Sequence, residues 1–410
     1  MSTSDINFVR QQFPALTNGF AFFDNAGGSQ VPVQVANKIS HYLLHSNVQL
    51  GASYRISKQS EAMVATASGL WAQAINAADP AEIVMGSSST ALLQNLARSL
   101  AHYFKPGDEV IVTNCDHEAN IGPWLGLEEA GIVIKTWKIN PDSFQLELEE
   151  LGKLMTSKTR LVAFTHVSNI LGSINPVEEI TRFIHERGAL VCVDGVAFAP
   201  HRQVDVKKWD VDFYVFSFYK VFGPHYALLY GRHALLSQLP GINHYFIARE
   251  DVPYKLQPGN VNFELTVGST GIIDYLDTVF AQHFEVSTWD LFSRLKQVFD
   301  LFTEHEEQLT RRFLEFLTSK KNIRLIGSVE FSREVRVPTF SFVVENIKSS
   351  VIPPQVDGYD IGIRWGDFYA RRLINDLGLS DVDGVVRVSM VHYNTVEEVD
   401  RLIRVLDRIL

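Results

Sequence analysis

Between residues 80 and 232, short apolar runs alternate with helical patterns. The runs lie at 82–85, 109–113, 160–164, 190–193, 212–216 and 226–230. Most are continuous rather than alternating, which is typical of strands that are buried on both faces. Helical patterns lie between them, for example at 91–101 and 177–187. This rhythm predicts an α/β domain built on a mostly parallel sheet.

The last third of the chain has a different pattern. It predicts a long amphipathic helix near 295–319, strands at 337–344 and 385–391, and helices near 368–376 and 396–410. Because the strict strand–helix rhythm is lost, we expect a smaller α+β domain here. The predicted divisions are an N-terminal segment at 1–20, a large α/β domain at 21–285 and a small C-terminal domain at 286–410.

Composition narrows the function classes. The 410 residues are 46% hydrophobic and 20% charged, and the formal net charge is −10, which disfavours nucleic acid or an anionic membrane as partner. No apolar stretch of about 18 residues and no secretory signal is present. The two cysteines, Cys115 and Cys192, form neither a CxxC pair nor a disulfide framework. We therefore expect a cytoplasmic protein large enough for catalysis.

Two residues with the chemistry of a cofactor site follow predicted strands. Asp194 comes after the strand at 190–193, and Lys220 follows the strand at 212–216. Ligands bind at the carboxyl ends of strands in an open α/β sheet. Pyridoxal phosphate (PLP) needs a lysine for a Schiff base and an acidic partner for its ring nitrogen. The alternative is a surface lysine and a turn aspartate, because Asp-Gly after a strand is a common turn.

The segment Met-Gly-Ser-Ser-Ser-Thr at 85–90 lies between a predicted strand and a predicted helix. Hydroxyls and free N–H groups at a helix N-terminus form an anion site, so Ser89 and Thr90 are candidates for binding a phosphate. An ordinary Ser/Thr N-cap is the alternative. No G-x-G-x-x-G motif follows the first strand, which disfavours a nicotinamide cofactor.

His117 and Arg387 are further candidates. His117 has an acidic residue on each side, but no second His or Cys lies at ligand spacing, so no metal site is predicted. It is either an imidazole that stacks on an aromatic ring or a loop histidine. Arg387 lies within an apolar strand, and a buried arginine usually has an anionic partner, either a structural carboxylate or a substrate carboxylate.

Taken together, these motifs resemble the class V aminotransferase family, and within it the branch of group-II cysteine desulfurases and selenocysteine lyases. The similarity runs from Phe-Phe-Asp-Asn-Ala-Gly-Gly at 22–28 to Tyr-Asn-Thr-Val-Glu-Glu-Val-Asp at 393–400, nearly the whole chain. The resemblance implies PLP fold type I, an α-amino acid substrate, and a homodimer with active sites near the subunit interface.

The resemblance also implies a role for each matching residue. Lys220 corresponds to the lysine that binds the cofactor, and Asp194 to the partner of its ring nitrogen. His117 corresponds to a histidine that stacks on the ring and moves protons. The other implied cofactor-binding residues are Ser89, Thr90 and Ser217 for the phosphate, Asn169 for a cofactor oxygen and the substrate, and Tyr219. Arg387 corresponds to the arginine that holds the substrate carboxylate.

The chain departs from the family pattern at several positions. Tyr369 stands where a cysteine desulfurase has its persulfide cysteine. Cys192 lies in a strand predicted to be buried, and Cys115 closely precedes the proposed stacking histidine, so neither is a ready substitute. Ala197 replaces the glutamine expected after the cofactor aspartate, and Tyr219 replaces the histidine expected before the lysine. No Gly-Thr pair that would reach the partner subunit's phosphate is recognisable after 263–264.

These observations favour a PLP-dependent enzyme acting on an α-amino acid, most simply a C–S lyase that eliminates a β-leaving group. One alternative is a cysteine desulfurase that uses Cys115 or an unusual nucleophile. Another is an aminotransferase. A protein that binds PLP without catalysis is disfavoured, because a relic has no need of Lys220, Asp194 and Arg387 together.

Overall fold

The computed structural model describes residues 4–285 and 290–410. The strands are β1 (Ala21–Phe22), β2 (Ile83–Gly86), β3 (Glu109–Thr113), β4 (Val133–Trp137), β5 (Thr159–Thr165), β6 (Leu190–Asp194), β7 (Phe213–Ser217), β8 (Ala227–Gly231), β9 (Ile323–Ile326), β10 (Thr339–Val344), β11 (Ile361–Gly362), β12 (Arg364–Gly366) and β13 (Val385–Ser389). The α-helices are α1 (Ile6–Gln11), α2 (Val33–His45), α3 (Arg55–Ala74), α4 (Ser89–Leu100), α5 (Gly122–Leu125), α6 (Leu148–Leu154), α7 (Val177–His185), α8 (His233–Gln238), α9 (Phe263–His283), α10 (Leu291–Ser319), α11 (Pro353–Asp357), α12 (Arg371–Asp376) and α13 (Val396–Ile409). None of the helices in this part of the chain is long and apolar enough to cross a membrane.

A seven-stranded sheet forms the centre of the fold, in the order β2-β8-β7-β6-β5-β3-β4. Strands β7, β6, β5, β3 and β4 are parallel to one another, whereas β8 is antiparallel to both β7 and β2. Two antiparallel steps restore the strand direction, so the carboxyl end of β2 lies at the same edge as those of the parallel strands. The prediction of a mostly parallel α/β sheet is confirmed.

The side chains of β7 explain why the apolar runs are continuous. Tyr214 and Phe216 belong to one hydrophobic core, and Phe213 and Val215 belong to a second. Alternate residues of a strand point to opposite faces of the sheet. Because apolar cores cover both faces, the first four positions of this strand are apolar and buried, and the polar Ser217 comes only at its carboxyl end.

The C-terminal part of the chain forms a second sheet in the order β12-β13-β10-β9, in which all pairs are antiparallel. Helix α10 packs on both halves of the fold: Leu295 and Phe302 lie in the core of the large sheet, and Leu309 and Phe313 lie against the second sheet. This helix begins four residues before the predicted start, at Leu291. The predicted domain boundary at 285/286 adjoins residues 286–289, which lie outside the described residues, and the division remains a prediction.

The predicted helix near 368–376 begins three residues late, at Arg371. Phe368 and Tyr369 have φ angles of 49° and 61°, in the left-handed region that a right-handed helix excludes. The side-chain amide of Asn169 donates to the carbonyl oxygen of Phe368 at 2.9 Å. This contact with a residue about 200 positions away supports a backbone conformation that the local pattern does not indicate.

Candidate active site

A cavity lies at the carboxyl edge of the central sheet. Eight of the predicted site residues line it together: Ser89, Thr90, His117, Asn169, Asp194, Ser217, Tyr219 and Lys220. They come from the ends of β2, β3, β5, β6 and β7 or the segments that follow. The ninth, Arg387, lies on β13 and reaches the site from the second sheet, where its Nη1 donates to the carbonyl oxygen of Asn169 at 3.3 Å.

Lys220 ends a short 3₁₀ turn, Phe218–Lys220, that directly follows β7. Lys220 is only 7% exposed. Burial lowers the pKa of Lys220 to about 8, and the positive charge of Arg387 acts in the same direction, while Asp194 and Asp24 oppose the change. A substantial fraction of this amine is therefore neutral near physiological pH, as a nucleophile or a proton acceptor requires.

Asp194 is the last residue of β6, and its carboxylate is buried. Burial raises the pKa of Asp194 to about 6, opposed by the backbone N–H of Val196, which donates to Oδ1 at 2.9 Å, and by the charge of Lys220. A Cβ at Gly195 would lie 2.1 Å from the ring of Tyr214. The Asp-Gly pair begins a turn, in which the carbonyl oxygen of Gly195 accepts the N–H of Phe198 at 3.0 Å, and the glycine also permits a close approach of the backbone to an aromatic ring.

His117 is the N-cap of the 3₁₀ turn Glu118–Asn120, and its Nδ1 accepts the backbone N–H of Ala119 at 3.0 Å. Burial lowers the pKa of His117 to about 4, and the charges of Lys220 and Arg387 lower it further. The imidazole is therefore neutral at physiological pH, with its proton on Nε2 because Nδ1 is an acceptor. It presents a flat, uncharged ring with one donor to the cavity.

Hydroxyl groups collect where α4 begins. Ser88 caps the helix by accepting the N–H of Ala91 at 3.1 Å. Ser89 and Thr90 occupy its first turn, and the hydroxyl of Ser217 donates to that of Ser89 at 3.1 Å. The N-cap and the anion site, which the sequence left as alternatives, are therefore both present. Ser88 is the N-cap, and the candidates for binding a phosphate, Ser89 and Thr90, directly follow it. Free N–H groups of the first turn and three hydroxyls suit a phosphate group.

The partner of Arg387 is a residue to which sequence reasoning assigned no role. Arg387 is 2% exposed, and its Nη2 donates to Oδ1 of Asp24 at 2.9 Å. The other oxygen of Asp24 lies 3.3 Å from Nη1 of Arg364. Arg364 and Arg387 are direct cross-strand neighbours, so Asp24 offsets a like-charge repulsion. The only sign of Asp24 in the sequence was the Phe-Phe-Asp-Asn motif, which did not indicate that its partner is Arg387.

Two buried polar atoms at the site have no hydrogen-bond partner among the described residues: Oδ1 of Asn169 and Nε of Arg387. Such atoms are costly unless something satisfies them, and they are a common sign of a binding site. The amide nitrogen of Asn169 already donates to Phe368, so its free oxygen needs a donor. Arg387, with its guanidinium carbon 3.7 Å from the ring centre of Phe368, has an unused donor for an anion.

Neither cysteine has the properties of a nucleophile. Cys115 is 1% exposed and Cys192 is fully buried. Burial raises the pKa of both thiols well above the usual range, and neighbouring aspartates raise it further. A reactive cysteine needs a stabilised thiolate and access, and both are missing here.

Comparison with known proteins identifies the family. The family model described as aminotransferase class-V matches residues 21–402. The chain belongs to the class V aminotransferase family. Aminotransferase-like protein FGM3 of Gibberella zeae is 46% identical to this chain and is aligned over 100% of it and 99% of the relative. Cysteine desulfurase-like protein ustD of Aspergillus flavus is 37% identical, over 99% of this chain and 91% of the relative.

The comparison with solved structures supports the same family and fold. The apo structure of cysteine desulfurase from Thermococcus onnurineus NA1 superposes with a TM-score of 0.88 at 25% sequence identity, covering 100% of this chain and 99% of that chain. Class V aminotransferases and cysteine desulfurases are PLP enzymes, so this class V aminotransferase is a PLP-dependent enzyme with the PLP fold type I. The resemblance found in the sequence is confirmed at the level of family, fold and cofactor.

The side chains around the cavity fit this cofactor. A neutral buried amine suits its aldehyde, a buried carboxylate suits its ring nitrogen, and the hydroxyls at the start of α4 suit its phosphate. The unpaired oxygen of Asn169 is an acceptor for a hydrogen-bond donor on the bound cofactor or substrate. When bound, PLP withdraws electrons from the α-carbon of an amino acid.

Proposed function

We propose that this class V aminotransferase is a C–S lyase, which removes a sulfur leaving group from the β-carbon of an α-amino acid. The observation that carries the proposal is the combination of a cofactor-binding cavity with two buried, unreactive cysteines and Tyr369 at the position expected for a persulfide cysteine. Without a thiolate to accept sulfur, the simplest fate of a β-sulfur group is departure as a thiol.

Each step of this reaction has a residue suited to it. Arg387 binds the substrate carboxylate with its free Nε, and Lys220 removes the proton from the α-carbon as a neutral amine. Asp194 holds a proton on the ring nitrogen through its negative charge. The Cα–H and Cβ–S bonds break, a Cα=Cβ bond forms, and the sulfur leaves with a proton. Water then converts the enamine to a keto acid and ammonia.

Two other reactions start in the same way. A cysteine desulfurase would transfer sulfur to a protein cysteine and release alanine, which the burial of Cys115 opposes. An aminotransferase would deliver the α-proton to the cofactor and would leave the Cβ–S bond intact. It would therefore release a keto acid that keeps the β-substituent. The names of the relatives FGM3 and ustD cover both the aminotransferase-like and the desulfurase-like alternatives.

Product analysis tests the proposal. Incubation of the PLP-loaded protein with cysteine under reducing conditions is expected to release pyruvate, ammonia and sulfide in equal amounts. Chromatographic quantification of pyruvate and alanine, with a sulfide assay, separates the possibilities. Alanine with sulfide would overturn the lyase assignment in favour of a desulfurase, and a sulfur-containing keto acid without sulfide would indicate transamination.

We further propose that the protein is a cytoplasmic homodimer. Its support is the family relationship and the aromatic surface of the 240–262 segment, where Tyr245 is 99% exposed and Phe246 is 68% exposed. Large exposed aromatic residues are typical of protein interfaces. Light scattering during size-exclusion chromatography is expected to give twice the chain mass of 46.2 kDa. A mass of one chain at micromolar concentration would contradict the dimer.

A further inference from the structure

A short segment with an unusual backbone lies beside the cavity, in contact with its lining residues Asn169 and His117. In this segment, residues 367–370, Phe368 and Tyr369 both have left-handed φ angles, 49° and 61°. Neither is a glycine or an asparagine, the residues that tolerate this region best. Such a conformation is unfavourable unless the surrounding structure holds it, and it occurs preferentially at functional sites.

Hydrogen bonds attach the 367–370 segment to the cavity wall at successive residues. The carbonyl oxygen of Phe368 accepts from the amide of Asn169 at 2.9 Å, and that of Tyr369 accepts from the backbone N–H of Glu118 at 2.8 Å. The guanidinium of Arg372 binds both carboxylate oxygens of Glu118, at 3.0 and 3.1 Å. The segment is therefore fixed to Glu118, which follows His117, and to Asn169.

The side chain of Tyr369 contributes little to the hydrophobic core. It is 70% exposed, yet its ring centre lies 5.1 Å from that of His117, with 33° between the planes. Burial raises the pKa of Tyr219, and the charge of Asp194 and the nearby phenol of Tyr369 act in the same direction. His117 and Tyr219 both line the cavity. The ring of Tyr369 thus lies beside two lining residues of the cavity and is itself largely exposed.

We propose that Tyr369 selects the β-substituent of the substrate and favours an S-substituted cysteine, a thioether with an apolar group, over free cysteine. This inference rests on the proposed C–S lyase function. Lys220, which acts at the α-carbon, and Arg387, which binds the carboxylate, are both buried, so the substrate side chain is the part that can reach the exposed ring of Tyr369. Aromatic faces attract apolar groups and sulfur, and the substituent buries the exposed ring on binding.

Kinetics with a substrate series tests this inference. We would measure kcat/KM for cysteine, S-methylcysteine and S-benzylcysteine with the wild type and with Tyr369→Phe, Tyr369→Ala and Tyr359→Ala. Tyr359 is a matched control, since it is also exposed, at 44%, but lies beyond α11. In the wild type and the control, kcat/KM is expected to rise with the apolar size of the substituent. Tyr369→Ala should lower the preference for S-benzylcysteine over cysteine about 10-fold, and Tyr369→Phe should retain it. An unchanged preference in Tyr369→Ala would overturn the inference.

Binding of amino acids without a leaving group separates the two proposals. Alanine, 2-aminobutyrate and phenylalanine are titrated against the visible absorption band of the bound cofactor, which yields dissociation constants without any elimination. If no substrate releases a keto acid but affinity still rises with side-chain size and falls in Tyr369→Ala, the lyase function fails and the role of Tyr369 stands. If elimination occurs and affinity is the same in the wild type and Tyr369→Ala, the role of Tyr369 is overturned and the lyase function stands.

Discussion

Replacement of Lys220 by alanine is expected to abolish covalent attachment of PLP and to lower turnover at least about 100-fold. The reason is that Lys220 places a buried amine in the cavity and would also move the α-proton. The other buried lysine of the described residues, Lys255, binds the carbonyl oxygens of Ser237 and Leu239 at 3.1 and 2.8 Å. Loss of the visible absorption band of the lysine-bound cofactor, together with loss of product, is the measurement.

Peptide mapping after borohydride reduction provides the control for Lys220. In the wild type the cofactor mass is expected on the peptide that contains Lys220 and not on the one that contains Lys255. Only a neutral amine reacts with an aldehyde, so the rate of covalent attachment should rise with pH up to and beyond about 8, the pKa of Lys220. An unchanged absorption band in Lys220→Ala, or cofactor mass on another lysine, would contradict the assignment.

Replacement of Asp194 by asparagine is expected to lower kcat at least about 100-fold while the protein stays folded, because an amide cannot hold a proton on the ring nitrogen by charge. Removing one partner of a buried ion pair costs roughly 3 kcal/mol or more, and about 1.4 kcal/mol is a factor of ten. In the protein without cofactor, burial raises the pKa of Asp194 to about 6. The carboxyl gains a proton as pH falls through 6, so cofactor affinity should decrease there.

Asp212 is the matched control for Asp194. It is also a buried aspartate, but it precedes β7 at the opposite edge of the sheet, where it accepts the N–H of Val191 at 2.8 Å and pairs with His185. Asp212→Asn is expected to change thermal stability without changing the absorption spectrum of the cofactor. Equal kcat values for Asp194→Asn and the wild type would exclude a role for Asp194 at the ring nitrogen.

Much of the site was predictable because its residues are tied to strand ends. Asp194 ends β6, and Lys220 follows β7, which is its parallel neighbour in the sheet. Parallel neighbours end at one edge, so strand patterns alone imply that these side chains are close. Their individual roles came from the family resemblance, and the mutations above test them. The edge strand β4 was not predicted, because it is partly exposed and its residues lack a continuous apolar run.

The amino-acid sequence by itself determined the fold class, the family and the positions of the residues at the strand ends, since buried strands and their following turns are encoded locally. Only the tertiary structure decided the partners that come from distant parts of the chain. Asp24 and Arg387 are 363 positions apart, and Asn169 holds Phe368 from 199 positions away. The first contact forms where the segment after β1 meets β13, and the second where the segment after β5 meets the segment before α12. No local periodicity indicates either contact. For the same reason a segment with a helical pattern, which includes Tyr369, instead adopts a left-handed backbone beside the cavity.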